Sequence, residues 1–147
     1  MGSDWLDRYV DAWELHARAG ASDGGDALDA LLRLYSADVR YEDVPTTIVF
    51  VGHDGITQMC EAAHQWSADL RVRVVSRQTD GQHFALETEV TGTNSSTLGD
   101  LPATGRTFTL RGVSVGRISD GDLVCEHRDY WDLGSFLMQV GVLPPPG

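Results

Sequence analysis

The prevailing period of the hydrophobic pattern in this chain changes near residue 67, and this change constrains the fold more than any other feature. Before that point apolar residues recur at spacings of three and four, which is typical of amphipathic helices. After it they alternate with polar residues at a spacing of two, which is typical of half-buried strands. Helices followed by a run of strands predict an α+β fold, because a doubly wound parallel sheet would alternate the two elements.

The first part of the chain predicts three helices and one short strand. The helices cover residues 4–20, 28–35 and 55–66, and a glycine-rich break at residues 22–26 separates the first two. Residues 39–45 form the short strand, which Pro45 ends because proline cannot donate to a strand ladder. A fourth helix is predicted at residues 133–140, shortly before three consecutive prolines.

The second part predicts two hairpins whose strands bend strongly. Each hairpin has an Asp-Gly turn, at residues 80–81 and 120–121, which is a strong signal of a tight turn. Gly112 and Gly116 lie inside one strand, where glycine marks a bulge or a bend. We therefore expect a curved, mostly antiparallel sheet around the N-terminal helices, which makes a cone with an apolar cavity. The polar segment 92–105 is too long for a hairpin turn, and we interpret it as a lid over that cavity.

Composition excludes several classes of partner. The 147 residues carry a net charge of −11, so the surface repels phosphate backbones and anionic lipids, and we expect neither a nucleic-acid nor a membrane partner. The length predicts a single domain over residues 1–147. Residues 1–4 lack the features of a secretory signal, and Cys60 and Cys125 are far apart, which predicts free thiols and a cytoplasmic location. The five histidines show no ligand spacing, so no metal site is expected.

Three segments taken together resemble a known family. They are residues 41–45 (YEDVP) followed by Gly52, residues 101–106 (LPATGR), and residues 120–122 (DGD) leading to residues 128–132 (RDYWD). This set is similar to the SnoaL-like polyketide cyclases of the nuclear transport factor two superfamily, which also holds ketosteroid isomerase and limonene epoxide hydrolase. The resemblance implies a cone-shaped, cystatin-like α+β barrel, a homodimer, and action without a cofactor on hydrophobic rings or polyketides.

Two aspartates lead the predicted catalytic residues, and each has a structural alternative. Asp43 shares a strand face with Tyr41; inside the cone its carboxylate would lose water, which suits a general base, whereas otherwise it starts the turn at Pro45. The cyclase resemblance implies an acid/base aspartate late in the last strand, which would be Asp132 or Asp129. Asp132 is equally well placed as a helix N-cap, a role worth about 1 kcal/mol.

The other two enzymes of the superfamily match different positions. Tyr41 and Asp132 carry the residue types of limonene epoxide hydrolase, but Asp43 replaces its asparagine, and Glu87 and Glu89 replace its arginine and aspartate. Ketosteroid isomerase resembles this chain at Arg8-Tyr9-Val10, the segment of its oxyanion tyrosine, and at Glu42-Asp43, the segment of its base. Ser114 stands near the position of that enzyme's second oxyanion donor.

Further side chains are expected around the substrate. Tyr9 and Tyr41 are candidate donors to an enolate oxygen, although buried tyrosines more commonly pack in a core. Glu87 and Glu89 either form an acidic pair in the pocket or face solvent. The predicted substrate-binding residues are Trp13, Phe50, Trp66, Phe84, Glu87, Glu89, Ser114 and Arg128.

These observations predict an enzyme with a small hydrophobic substrate. The preferred hypothesis is a cofactor-independent cyclase of natural-product biosynthesis that closes a ring in a polyketide-like intermediate by proton transfer and confinement. One alternative is an epoxide hydrolase or ketosteroid-type isomerase. The other is a non-catalytic module for small-molecule binding or dimerisation.

Overall fold

The computed structural model describes residues 4–20 and 25–146. Within them the chain forms four helices and six strands, and the predicted α+β class is confirmed. The elements are α1 (Asp4–Ala19), α2 (Asp26–Leu32), β1 (Tyr35–Asp43), β2 (Ile48–Val51), α3 (Gly52–Trp66), β3 (Arg71–Thr79), β4 (His83–Thr93), β5 (Thr107–Ser119), β6 (Leu123–Trp131) and α4 (Leu133–Gln139). The N-terminal residues 1–3 lie outside the described residues, as does most of the predicted break at residues 22–26.

The six strands form one open, mixed sheet in the order β2-β1-β6-β5-β4-β3. Every neighbouring pair is antiparallel except β1 and β6, which run parallel. The two predicted hairpins, β3 with β4 and β5 with β6, are present. The sheet has free edges at β2 and β3, so the cone is an open one.

The region between α2 and α3 differs most from the prediction. Helix α2 ends at Leu32, and Tyr35 begins β1 instead of lying on the helix. Pro45 does end β1, but a turn closed by a 3.2 Å hydrogen bond from Thr47 N–H to the Val44 carbonyl starts an additional edge strand, β2. Strand β1 thus gains a partner on each side, which secures it next to β6.

Gly116 and Gly112 let β5 approach its neighbours more closely than any other residue could. A Cβ on Gly116 would lie 2.1 Å from the Glu126 carbonyl oxygen and 2.6 Å from the Phe84 ring. A Cβ on Gly112 would lie 2.7 Å from the Tyr130 carbonyl oxygen. The absence of side chains at both positions allows β5 to bend against β6, as the glycines in the strand pattern predict.

Helices α1 and α3 cover one face of the sheet, α1 against β3 and α3 against β1. The amphipathic pattern of α1 explains its placement, because Leu6, Tyr9 and Val10 on one side are fully buried. A second apolar cluster, around Phe108, Phe136 and Val140, joins α4 to β5. Among the described helices, none is long and apolar enough to cross a membrane.

Candidate active site

A cavity of about 260 Å³ lies between the two covering helices and the sheet. Its walls are mostly apolar, with Val10, Met59, Leu86 and Leu110 among the residues that line it. Thirteen of the lining residues carry a polar group in an otherwise carbon-rich side chain or as the side chain itself. These are Trp13, His16, Tyr41, Asp43, Cys60, His64, Trp66, Thr88, Ser114, His127, Asp129, Tyr130 and Trp131.

The parallel pairing of β1 with β6 brings the central polar residues together. In this register Tyr41 lies opposite His127, and Asp43 lies opposite Asp129. Because side chains two residues apart share a strand face, all four point to the cavity side of the sheet. On the other side of β6, Ser114 of β5 lies opposite Asp129. Three adjacent strands therefore place their polar side chains around one carboxylate.

Asp129 accepts hydrogen bonds from three side chains. Ser114 Oγ–H and His127 Nε2–H donate to Oδ1 at 2.5 and 2.7 Å, and the Tyr41 hydroxyl donates to Oδ2. The Tyr41 ring also stacks on the His127 imidazole, with centroids 4.2 Å apart. Asp129 nevertheless keeps 27% of its side-chain surface exposed, and since it lines the cavity, a ligand there can reach it.

The hydrogen bonds continue from His127 into the core. His127 Nδ1 lies 2.7 Å from the Tyr9 hydroxyl, which lies 2.7 Å from the Tyr35 hydroxyl. The Trp13 indole N–H donates to the Tyr35 oxygen at 3.1 Å. Tyr9, Tyr35 and His127 are at most 3% exposed, so each of these bonds is shielded from water.

Only one order of donors satisfies every group in this chain of hydrogen bonds. Trp13 has an N–H and no acceptor, so Tyr35 accepts from it and donates to Tyr9. Tyr9 then donates to Nδ1 of His127, which leaves the imidazole proton on Nε2, facing Asp129. The reverse order would leave the Tyr35 hydroxyl without an acceptor in the described part of the chain. We therefore assign the Nε2–H tautomer to His127.

The surroundings of Asp129 keep it ionised. Burial alone would raise the pKa of this carboxyl, but the N–H of His127 and the hydroxyls of Ser114 and Tyr41, which all donate to it, hold the pKa below its ordinary value. The same burial, together with the Asp129 charge, raises the pKa of Tyr41 well above its ordinary value. Tyr41 is consequently a protonated donor and not a base.

Asp43 is the second carboxylate of the cavity. Its Oδ1 accepts a 2.7 Å hydrogen bond from the Trp131 indole N–H, and its Oδ2 accepts from the Thr46 hydroxyl. The bond from Thr46 to Asp43 encloses Pro45, so Asp43 also stabilises the turn that contains this proline. Asp43 therefore lines the cavity and also holds the turn. The sequence offered these two positions as alternatives, and the structure combines them.

Six of the predicted site residues line the cavity: Trp13, Tyr41, Asp43, Trp66, Ser114 and Asp129. Tyr9 lies one layer behind it. Tyr9 is fully buried, and its hydroxyl is taken up by Tyr35 and His127, so it does not face a ligand as the oxyanion interpretation requires.

Asp132 lies outside the cavity, at the N-cap of α4. Its carboxylate accepts a 3.0 Å hydrogen bond from the Ser135 N–H, which is the capping alternative that the sequence left open. Asp132 follows the last residue of β6 and does not line the cavity, whereas Asp129 does; a catalytic role of Asp132 stays a prediction.

Five of the expected substrate-binding residues also lie elsewhere. Glu87 contacts Ser76, and Glu89 contacts Arg73, on the face of β4 that points away from the cavity. Arg128 lies beside Glu126 on the outer face of β6. The remaining two belong to the core, where Phe84 packs against Trp5 and Tyr9, and Phe50 packs from β2.

Two residues of the hydrogen-bonded network, His127 and Tyr35, were missing from the sequence prediction. His127 precedes Asp129 by two residues, so strand parity was the available signal for placing it on the same face. No comparable local signal identifies Tyr35, since its role depends on contact with α1. Among the described residues, no group of three metal-ligating side chains could hold a metal ion.

The segment expected to form a lid is held beside the cavity without lining it. Asn94 is fully buried; its Oδ1 accepts from the Trp66 indole N–H at 2.8 Å, and its Nδ2 donates to the Pro102 carbonyl at 3.0 Å. Its backbone carbonyl accepts from the Gly105 N–H at 2.9 Å. Asn94 therefore fixes both ends of the segment against Trp66, which does line the cavity.

Solved structures share this fold at low sequence identity. TsrD from Streptomyces laurentii is 19% identical, with a TM-score of 0.80 over 95% of this chain and 96% of that one. A protein of Shewanella denitrificans assigned to the SnoaL-like polyketide cyclases is 13% identical, with a TM-score of 0.77 over 97% and 98% of the two chains. A protein of Catenulispora acidiphila with a ketosteroid isomerase-like fold, solved with trimethylamine, is 19% identical, with a TM-score of 0.72 over 97% of this chain and 98% of that one.

A comparison with curated protein sequences finds no match. The family model of the SnoaL-like domain matches residues 6–127, which include helices α1 to α3 and the chain as far as His127 in β6. The match spans most of the sequence and ends two residues before Asp129. The chain therefore belongs to the SnoaL-like domain family.

Proposed function

We propose that the protein catalyses ring closure or isomerisation of a small apolar carbonyl compound, with Asp129 as the group that removes and returns a proton. The observation that carries this proposal is the state of Asp129 in the cavity wall. An ionised carboxylate has about four lone-pair positions, and three donors occupy three of them. One position on Oδ2 is left for a ligand.

The lowered pKa of Asp129 restricts the substrate. A carboxylate with a low pKa is a weak base, and it transfers protons efficiently only from a carbon acid that is itself strongly activated. A carbon between two carbonyl groups meets this condition, since both oxygens share the negative charge after the proton is lost. Such carbons recur along polyketide-like chains, so the chemistry of Asp129 favours that class of substrate.

The proposed reaction needs no external reactant. Asp129 removes a proton from the activated carbon, and the electron pair of the broken C–H bond forms a C–C bond to a second carbonyl carbon of the same molecule. The electrons of that C=O bond move to its oxygen, which takes the proton back from Asp129. Isomerisation uses the same first step, followed by return of the proton to another carbon. Confinement in the cavity contributes by holding the two reacting carbons together.

Tyr41 would respond to each proton transfer. While Asp129 is ionised, the Tyr41 hydroxyl is occupied as a donor to Oδ2. When Oδ2 receives the substrate proton, it loses most of its power as an acceptor, and the Tyr41 O–H becomes free to donate to the developing oxyanion. A donor that becomes available as charge develops stabilises the transition state more than the ground state.

Asp43 would position the substrate. Its carboxylate lines the cavity one strand away from Asp129, and the Trp131 and Thr46 donors hold it in place. Lone pairs that these donors leave unoccupied can accept from a hydroxyl or enol group of the substrate. Family membership and the solved SnoaL-like relative support a role of the cyclase or isomerase type.

Deuterium exchange tests the proposal without knowledge of the natural substrate. The protein is mixed with 2-tetralone in D₂O, and loss of the C1 proton signals is followed by NMR, because C1 lies between the carbonyl and the aromatic ring and both groups delocalise the charge after the proton is lost. We expect the protein to accelerate exchange and Asp129→Asn to lower the acceleration by roughly 10²-fold or more, the usual contribution of a general base. The matched control is Asp120→Asn, which makes the same charge change in an exposed turn where Asn-Gly is equally suitable. Exchange that is equally fast in Asp129→Asn would contradict the proposal.

A further inference from the structure

Thr88 presents a hydroxyl to the cavity that has no partner inside the protein. Thr88 lies on β4 and lines the cavity, as do the residues two positions before and after it. Other polar side chains of the lining are bonded within the wall, as the Ser114 hydroxyl is to Asp129. Within residues 4–20 and 25–146, by contrast, the side-chain hydroxyl of Thr88 forms no hydrogen bond.

The register of the sheet shows where this hydroxyl lies. Gly112 of β5 pairs with Thr88 on one side and with Trp131 on the other. A Cβ on Gly112 would lie 3.5 Å from Thr88 Oγ1 and 3.3 Å from the Trp131 Cβ. Leu110, Gly112 and Ser114 all line the cavity, so the Cβ direction at position 112 is the cavity side of β5. The Thr88 hydroxyl is therefore on the cavity face of the sheet and directed toward β5.

Glycine at position 112 leaves the hydroxyl open to the cavity on this side. Any side chain there would stand against Thr88 Oγ1, between it and Trp131. A ligand that fills the cavity displaces water from the hydroxyl. An apolar group in that place would leave the hydroxyl unsatisfied, which is costly, whereas a ligand oxygen would restore its hydrogen bond.

Thr88 is well separated from Asp129 in the wall of the cavity. Strand β5 lies between β4 and β6, and since neighbouring strands are about 4.8 Å apart, roughly 10 Å separates the backbones that carry the two residues. Thr88 is also two residues away from the row that joins Asp129 to Ser114 and Leu86. One small polar group cannot contact both residues, but the two ends of one molecule can.

We propose that Thr88 binds a second oxygen of the substrate, a carbonyl or hydroxyl group at the end of the molecule that lies away from Asp129. A threonine hydroxyl can donate to a carbonyl oxygen and can donate to or accept from a hydroxyl, so it suits both groups. The substrate is then an apolar ring system or chain with an oxygen at each end, and Thr88 determines which of its carbons faces Asp129. This inference rests on the proposed function of the same cavity.

Calorimetric titration with matched pairs of naphthols tests the inference. Each pair consists of 2-naphthol with a hydroxyl or a methyl group at the same far position, C6 in one pair and C7 in the other. The ratio of hydroxyl to methyl affinity is measured for the full chain at neutral pH. Thr88→Val keeps the shape of the side chain and removes its hydroxyl. We expect it to lower this ratio about fivefold for at least one pair, the effect of one neutral hydrogen bond.

Two further variants serve as controls. Thr88→Ser retains the hydroxyl and should keep the ratio of the unmodified chain. Thr109→Val makes the same substitution as Thr88→Val at an exposed residue of β5 that does not line the cavity, and it should also keep the ratio.

Three results would overturn the inference: ratios that do not change in Thr88→Val, ratios that fall equally in either control variant, or no binding of either diol to the unmodified chain. Valine is as suitable as threonine in a strand, so we expect Thr88→Val to fold. The proposed function fails separately. If Asp129→Asn retains deuterium exchange while Thr88 selects the hydroxyl, only the catalytic role of Asp129 is wrong. If exchange depends on Asp129 and Thr88 selects nothing, only the second oxygen site is wrong.

Discussion

At the scale of single residues, the properties of Asp129 follow from its three donors. An isolated aspartate in an apolar cavity would have a raised pKa and would be ionised less readily. Ser114, His127 and Tyr41 reverse that tendency, and their three hydrogen bonds occupy three of the about four lone-pair positions of the carboxylate. His127 can donate to Asp129 because Tyr9 donates to its other nitrogen, so residues far from the ligand determine the state of the carboxylate.

The lowered pKa of Asp129 predicts how stability depends on pH. Unfolding returns this carboxyl to an ordinary pKa of about 3.9, so its ionised form stabilises the fold above that pH and the contribution disappears as the pH falls through the folded value. The free energy of unfolding of the wild type should therefore exceed that of Asp129→Asn most clearly near pH 6, and the difference should shrink below about pH 4. Urea unfolding of both proteins between pH 6 and pH 3 measures this difference. A difference that stays constant or grows on acidification would contradict the lowered pKa.

At the scale of secondary-structure elements, α4 depends on its N-cap. Asp132 caps a helix of seven residues that carries Phe136, a buried residue of the second apolar cluster. Asp132→Ala should lower the free energy of unfolding by about 1 kcal/mol, whereas Asp132→Asn should retain the cap, since asparagine is an equally good capping residue. Urea unfolding measures both. Loss of deuterium exchange in a stably folded Asp132→Asn protein would show that Asp132 takes part in catalysis after all.

The bend of β5 predicts a contrast between two glycines. Gly116→Ala should lower the free energy of unfolding by at least about 1–3 kcal/mol, because the new methyl group would collide with the Glu126 carbonyl and the Phe84 ring. Gly134→Ala in α4 is the control. Its Cβ would meet only the Asp132 carboxylate at 3.4 Å, and alanine favours a helix, so this variant should be neutral or more stable. Equal effects of the two substitutions on thermal unfolding would show that the close approach at Gly116 is unimportant.

At the scale of the whole molecule, local patterns predicted the elements well but not their long-range pairing. The change of period and the Asp-Gly turns identified both hairpins and helices α1 and α3. The parallel contact of β1 with β6 joins segments more than 80 residues apart, as in the bond from Tyr41 to Asp129, and no local pattern contains it. The sequence pattern places Tyr35 on a helix for the same reason, since only contact with Tyr9 and Trp13 of α1 gives its hydroxyl a role.

Only part of the candidate site could be predicted from the sequence, because strand parity alone leaves two possibilities for each strand. Parity groups Tyr41 with Asp43, and Asp129 with His127, but it does not say which face of β6 meets the cavity. That choice follows from the pairing with β1 and from the glycines of β5, and it favours Asp129 over Asp132. The outward direction of Glu87, Glu89 and Arg128 follows from the same constraint.

The central claim is that Asp129 offers one lone pair to a ligand in the cavity, and binding of 2-naphthol tests it most directly. Its hydroxyl resembles the enol form of the proposed substrate and should donate to Oδ2 of Asp129. Proton NMR of the complex should show a strongly deshielded hydroxyl signal that is absent in Asp129→Asn and retained in Asp120→Asn. A bound 2-naphthol that gives the same hydroxyl signal in wild type and Asp129→Asn would contradict the claim.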